Sequence, residues 1–491
     1  MQTMKRFILP FCILLFTITS YLALVSFKKE KIGFFKPGNK QELTKPNIIF
    51  ILTDDQRWDA LGAMGNTIIK TPNLDKLASS GILFQNAYVT TSICCVSRAS
   101  VLTGQYETRH RIHDFRTDLS EESIANTYPA LLKNAGYLMG FIGKFGVGTH
   151  PPRQLFDFWV NTEAGGQMQP NYITTDKNGK NTHDTDTIGH AIQDFLNQVG
   201  KKEPFCLSVS FKAPHEQDGN PPTYVIQPRY KDYYNDVTIP EPVTAEPKYW
   251  NQMPNFFRTD TNFARARWKG LFGTSKLYQE NVKNYYRLIT GVDDVVGEMM
   301  AKLNELGVAD NTIIIVMGDN GMFLGEHGME GKWYGYEESI RVPLIIYNPW
   351  LPDKIKQHKA SQIALNIDIA PTILAMAGVP APKTIQGIDL ISLVENKIPE
   401  REDFFYQYYF LGAPQLPREE GVVTKDFKYM NYFENNFEEL FDIKHDPHEI
   451  DNLVNNPKYK QKLNKLRMRY KELQKIYSVP AKSRKKSKPV F

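Results

Sequence analysis

Two apolar runs of this chain end in acidic pairs, and that repetition limits the fold more than any other feature. Asn47 to Thr53 reads NIIFILT and runs into Asp54-Asp55; Thr312 to Met317 reads TIIIVM and runs, after Gly318, into Asp319-Asn320. Continuous apolar runs without polar alternation suit strands buried on both faces of a parallel sheet. Helical patterns lie between such runs. TPNLDKLASSG (Thr71 to Gly81) reads as a helix with a Gly stop, and TYPALLKNAGYLMGFIGKFG (Thr127 to Gly146) as helix, Gly stop and short strand. Cys206 to Phe211 reads as a further buried strand, and Tyr285 to Leu306 carries a helical period leading into the second acidic pair. This alternation predicts an α/β fold with a large, mostly parallel central sheet flanked by helices. Ligands of open α/β sheets bind at the carboxyl ends of strands. Asp54, Asp55, Asp319 and Asn320 at two such ends therefore predict a hard-cation site. Either pair alone would read as a turn former; the two together carry the expectation.

From about Glu395 the character changes. Phe404 to Phe410, Gly421 to Phe433 and Glu438 to Asp442 are aromatic and alternating, which predicts an antiparallel sheet open to solvent on one face. Lys458 to Ile476 follows as an amphipathic helix. The chain divides into residues 1–27, 28–44, 45–395, 396–480 and 481–491: signal peptide or N-terminal anchor, linker, catalytic domain, C-terminal subdomain and basic tail. Lys5 and Arg6 precede the apolar run Phe7 to Phe27, which reads as an export signal. It is also long enough for an uncleaved anchor, for which roughly 20 residues suffice. Either reading places the body of the protein in the periplasm or outside the cell. The net charge of +5 over 491 residues is too mild to point to nucleic acid, and no internal repeat marks a solenoid.

Ser92 to Gly104, SICCVSRASVLTG, holds two of the four cysteines. A disulfide between neighbours is strained and closes almost no loop. Zinc sites space their cysteines by two to four residues and add further ligands nearby. A chemical role remains, though elimination alone does not assign it. Cys206 reads as a small buried apolar residue.

With SICCVSR placed beside the two acidic strand ends, the chain resembles the type I sulfatases, the formylglycine-dependent branch of the alkaline phosphatase superfamily. Their signature is Cys-x-Pro/Ala-x-Arg followed by a small-residue helix start and Thr-Gly. Here Arg98 sets the register, so that Cys94 is the signature cysteine and Cys95 the variable position. NIIFILTDDQR, TPNLDKLASSG, SFKAPH, DNGMFLGEHG, GKWYGYEESIRVPLI, NIDIAPTILAMAGV and ELFDIKHDP match in family order, from about residue 46 to 455.

The resemblance implies an alkaline phosphatase-like fold and removal of sulfate from a sulfated carbohydrate. It implies that a formylglycine-generating maturation enzyme oxidises Cys94, and that the hydrated aldehyde attacks sulfur, releases the alcohol and then expels sulfate. It implies one divalent cation, usually Ca2+, held by Asp54, Asp55, Asp319 and Asn320 together with the modified Cys94. Arg98 would orient the nucleophile, and Lys144 and Lys332 would clamp sulfate oxygens. His215, in KAPH, is the candidate general acid, with Lys332 as its partner. His327, in GEHG, reads equally as a site residue or a loop residue. Dense positive charge and an activated nucleophile are what attack on an anionic ester requires.

Two positions depart from the family pattern. Val96 replaces the usual Pro or Ala, and its preference for extended backbone suits a segment read as an extended peptide. Gly146 stands where the family often has a histidine contacting the nucleophile; His150 is the nearest histidine in sequence. Two other functions are open to the same sequence. One is a phosphonate monoester or phosphodiester hydrolase using the same site. The other is an inactive relative that binds sulfated glycans. The aromatic and basic stretches Tyr224 to Tyr234 and Tyr249 to Arg267 would serve either a sugar site or buried packing.

Overall fold

The computed structural model describes residues 45–477 except 164–168, 176–178, 201–203, 260 and 413–415. The expected signal or anchor, the linker and the basic tail lie outside the described residues. Among the described residues, twelve strands form the two larger sheets. Eight form the main sheet: β1 (Asn47–Asp54), β2 (Ile82–Tyr88), β3 (Leu138–Gly143), β4 (Phe158–Asn161), β5 (Phe205–Pro214), β6 (Thr312–Gly318), β7 (Leu344–Tyr347) and β8 (His358–Leu365). Four form a smaller one: β9 (Asp403–Tyr408), β10 (Glu419–Thr424), β11 (Lys428–Tyr432) and β12 (Phe437–Phe441).

The main sheet runs in the order β8-β2-β7-β6-β1-β5-β3-β4. All neighbours are parallel except β7, which is antiparallel to both β2 and β6. This bears out the expected mostly parallel sheet. Every residue of β1, β5 and β6 is buried, because strands at the middle of such a sheet carry helices on both faces.

Two groups of helices provide that cover. One contains α1 (Pro72–Ser80), α4 (Asp184–Val199) and α6 (Ser275–Glu305); the other contains α2 (Cys94–Thr103), α3 (Tyr128–Asn134) and α7 (Ile369–Met376). A further helix, α5 (Phe263–Leu271), packs beside α6 and a short strand pair, Phe323–Leu324 with Glu330–Gly331. The helix expected over Tyr285 to Leu306 begins ten residues earlier, at Ser275, where the Thr274 side chain accepts the Leu277 N–H as an N-cap. None of the helices in the described residues is long and apolar enough to cross a membrane.

The smaller sheet is antiparallel in the order β9-β10-β11-β12, as expected. It is not open to solvent on one face. The helix α8 (Lys460–Tyr477) covers one side with Leu463, Leu466, Tyr470 and Leu473, and Tyr470 meets Phe405 and Tyr429 at ring distances of 6.2 and 5.6 Å. On the other side Tyr406 donates a hydrogen bond to the Trp333 carbonyl at 2.8 Å, and Glu439 accepts one from Tyr336 at 2.9 Å. Several of the alternating polar positions that suggested a wet face are buried, and two of them have partners from other segments. Glu420 accepts from Tyr470 and from Gln474, and Lys428 pairs with Glu337 and Glu449. The sheet thereby supports the Trp333–Tyr336 segment, next to Lys332.

Candidate active site

Four adjacent parallel strands deliver the candidate residues to one edge of the sheet. In the order β6, β1, β5, β3, their carboxyl ends lead into Asp319-Asn320, Asp54-Asp55, His215 and Lys144. Register aligns the ends: Thr53 pairs with Gly318, Asp54 with Pro214, and Gly143 with Ser210. The chain turns sharply at Asp55, with φ of 61°, and Asp55 N–H donates to Asp319 Oδ1 at 3.1 Å. Hydrophobic strand burial thus creates a row of polar side chains at depth: Asp54, Asp55, Lys144, Asp319 and Asn320 are all 0–1% exposed.

Cys94 enters from the side as the first residue of α2, a helix buried throughout its length. A helix N-terminus favours negative charge developing there. Arg98, one turn on, donates from Nε to Asp319 Oδ2 at 2.9 Å and from Nη1 to the Lys144 carbonyl at 2.8 Å and to Ser210 Oγ; its Nη2 lies 3.5 Å from Asp54. Lys144 Nζ is 2.5 Å from Asp54 Oδ2, and Lys332 pairs with Asp55 Oδ1. His215 Nε2 sits 3.5 Å from the other oxygen of Asp55. The structure therefore brings Cys94, Arg98, Lys144, His215 and Lys332 around Asp54, Asp55, Asp319 and Asn320.

Burial and charge pull these groups in opposite directions. Burial raises Asp54, but Lys144 and Arg98 outweigh it and hold the carboxylate ionised. Burial dominates at Asp55 and Asp319, pushing them up to about 6 and about 7. It also pushes the Cys94 thiol up, against the pull of Lys144 and Lys332, so the unmodified side chain is a neutral thiol and a poor nucleophile. Burial, then Lys332, pushes His215 far down, whereas Asp55 keeps Lys332 protonated in spite of burial.

The donor set suits a hard cation. Asp54 Oδ1 and Asn320 Oδ1 are buried without a hydrogen-bond partner, and Asn320 Nδ2 is committed to Asp55 Oδ1 at 2.6 Å, which turns its oxygen the other way. Ligand atoms of Asp54, Asp55 and His215 lie within 4.8 Å of one another. Carboxylate and amide oxygens of this kind favour Ca2+ or Mg2+ over softer metals.

Comparison with known proteins decides the family. The Sulfatase family model matches residues 46–379, and a model described as N-sulphoglucosamine sulphohydrolase, C-terminal, matches residues 325–476. The chain belongs to the sulfatase family. An N-acetylglucosamine-6-O-sulfatase of Bacteroides thetaiotaomicron is 31% identical to it over 89% of this chain and 88% of its own length. A structure solved with its substrate D-glucosamine-2-N,6-O-disulfate has a TM-score of 0.77 and 30% identity, covering 90% of this chain and all of the other. The phosphonate monoester hydrolase of Agrobacterium radiobacter shares the fold, with a TM-score of 0.71 at 21% identity over 87% of this chain and 96% of its own. The sulfatase is thus a sulfuric ester hydrolase with the alkaline phosphatase-like fold.

Gly146 has a structural cause in this sulfatase. Its φ is +71°, and a Cβ there would lie 2.7 Å from Arg98 Cδ and 3.4 Å from Lys144 Cε. The arginine has taken the space a histidine side chain would need. Glu163 fixes the turn by accepting the Phe145 and Gly146 N–H groups at 3.0 and 3.1 Å. His150 is not part of the site: it is exposed and pairs with Asp118 at 2.9 Å. His327 is a loop residue, its Nε2 donating to the His448 carbonyl at 3.1 Å. Val96 and Cys95 are buried in α2. Sequence reasoning missed Ser210, Gln169, Glu163, Glu216, Glu330 and Arg267. Gln169 Nε2 lies 3.2 Å from His215 Nε2. Ser210 alone carried a signal, as a polar residue inside an apolar strand.

Proposed function

We propose that this sulfatase removes a 6-O-sulfate from a glucosamine-containing glycan, with a nucleophile made from Cys94 and one Ca2+ in the site. The observation that supports it most is the convergence of Cys94, Arg98, both lysines and the acidic strand ends, in a chain close in sequence to proteins named for glucosamine 6-sulfate. Hydrolysis adds water across the ester: sulfate leaves with one new oxygen, and the sugar alcohol keeps its own oxygen and gains a proton.

Asp54, Asp55, Asp319 and Asn320 would hold the cation, which neutralises charge on the sulfate oxygens and favours the ionised nucleophile. Formylglycine formed at Cys94 by a maturation enzyme supplies, as its hydrate, the hydroxyl that a buried neutral thiol cannot replace. Arg98, gripping Asp319 and the Lys144 carbonyl, fixes the N-terminus of α2 against the strand ends. Lys144 and Lys332 carry positive charge at the floor of the site and would take the sulfate oxygens. His215 and Lys332 flank Asp55, and this pair would move the proton to the leaving sugar oxygen. Lys332 holds that proton most firmly in the structure; the negative sulfate would raise His215 in turn. The basic, apolar start of the chain supports export to the periplasm or beyond.

The test is turnover by enzyme matured at Cys94. Sulfate release from 6-O-sulfated N-acetylglucosamine, exceeding release from 2-O- or 4-O-sulfated sugars and from a phosphodiester, is expected. Preference for the phosphodiester would move the enzyme to the phosphonate hydrolase reading, and tight glycan binding without release would make it a binding protein.

A further inference from the structure

The two groups assigned to the leaving oxygen come from separate parts of the chain. His215 follows β5, and Lys332 follows the Glu330–Gly331 strand. Each has a buried glutamate close by in sequence: Glu216 next to His215, and Glu330 two residues before Lys332. One side chain from α5 holds both. Arg267 Nε lies 2.6 Å from Glu330 Oε2, and its Nη2 pairs with Glu216 Oε1. The two carboxylate side chains are 2% and 0% exposed, and the guanidinium 13%. A planar guanidinium fixes direction as well as charge, which an ammonium does not.

The tie reaches the histidine ring. His215 Nδ1 lies 2.7 Å from the Glu216 carbonyl oxygen. A carbonyl only accepts, so Nδ1 carries the hydrogen and Nε2 turns toward Asp55. The helix bearing Arg267 is anchored to the same neighbourhood. Asn262 caps it at 2.9 Å from Arg265 N–H and bonds Tyr334 OH at 3.2 Å, while Arg265 donates to the Gly328 carbonyl at 2.8 Å.

We propose that Arg267 is a positioning residue: by clamping Glu216 and Glu330 it sets His215 and Lys332 at a fixed separation across Asp55. This rests on the assignment of that pair to the leaving oxygen. Loss of the guanidinium removes the one cation the two buried carboxylates share, and with it the tie that fixes the spacing of the two segments.

The experiment compares two esters on matured enzyme. A nitrophenyl sulfate has a leaving group that departs without a proton; 6-O-sulfated N-acetylglucosamine has one that needs it. His215→Ala should lose far more kcat on the sugar ester than on the aryl ester, within the range of about 10²–10⁴-fold typical of general acids. Arg267→Met should show the same selectivity at about 10- to 100-fold on the sugar ester, the scale of an ångström-sized misplacement, with KM little changed. Arg267→Lys should recover part of it. If Arg267→Met does not fold, Glu216→Gln opens the clamp from the other end and should give the same selectivity. Equal losses on both esters in the clamp variants, beside a selective His215→Ala, would overturn the positioning role alone. A His215→Ala enzyme with no selectivity would instead overturn the assignment on which it rests.

Discussion

Cys94 and Cys95 are neighbours with different surroundings. Both are buried, and burial pushes both thiols up. Cys94 feels Lys144, Lys332, Asp54 and Asp319, whereas Cys95 faces Glu107 and Asp114 with Lys144. Cys94→Ala is therefore expected to abolish turnover, a loss of about 10³-fold or more, while Cys95→Ala keeps it; sulfate release by the two variants checks this. Gly146→His, which restores the side chain common in the family, should lower activity instead of raising it. Its Cβ would meet Arg98 at a backbone angle that suits glycine, at a stability cost of about 1–3 kcal/mol. Thermal midpoints and kcat of that variant would show it. The acidic strand ends were legible in the sequence because apolar runs point straight at them. Lys144 and His215 were legible only through resemblance, since a lone lysine or histidine carries no signal of its own. Arg267 was not legible at all: its partners lie 51 and 63 positions away, and folding alone brings them together.

At the scale of elements, the parallel strands and the helices between them follow from continuous apolar runs and Gly stops. The smaller sheet shows where such reading fails. Alternation announced the sheet but merged two strands, since Gly421 to Phe433 spans β10, a turn and β11; several of the polar positions are buried between α8 and the Trp333–Tyr336 segment. A pattern of polarity cannot show that a carboxylate will find a tyrosine partner in another part of the fold. Leu466, on α8 and 6% exposed, packs this layer, and Leu466→Ala should cost about 2–4 kcal/mol in urea unfolding. Glu439 gives a pH signature. Burial pushes it from 4.5 to about 7, against the hydrogen bond from Tyr336, with Glu449 also raising it and Lys428 opposing. Between those values the folded protein holds a proton that the unfolded chain has lost, so stability falls as pH rises through that window. Glu439→Gln keeps an acceptor for Tyr336 and removes the titration. It should flatten the slope and raise stability by about 2 kcal/mol above pH 7; urea midpoints across that range are the measurement.

Across the whole molecule, the sheet order places four parallel strand ends side by side, and α2 supplies the fifth component from the flank. A cation bound by side chains from β1 and β6 would join two central strands, so its affinity adds to the stability of the sheet. Added Ca2+ should raise the melting temperature, by about 2.7 kcal/mol of stabilisation at a hundred times its Kd, and a chelator should reverse it. Asp54→Asn should abolish that response. Under the proposed function Cys94 is a precursor and not the working group. Mass spectrometry of the peptide spanning Ser92 to Arg98, from protein made with a maturation enzyme, tests it most directly. The expected result is an aldehyde in place of the Cys94 thiol, with Cys95 unchanged in the same peptide. An intact Cys94 thiol in fully active enzyme would contradict it.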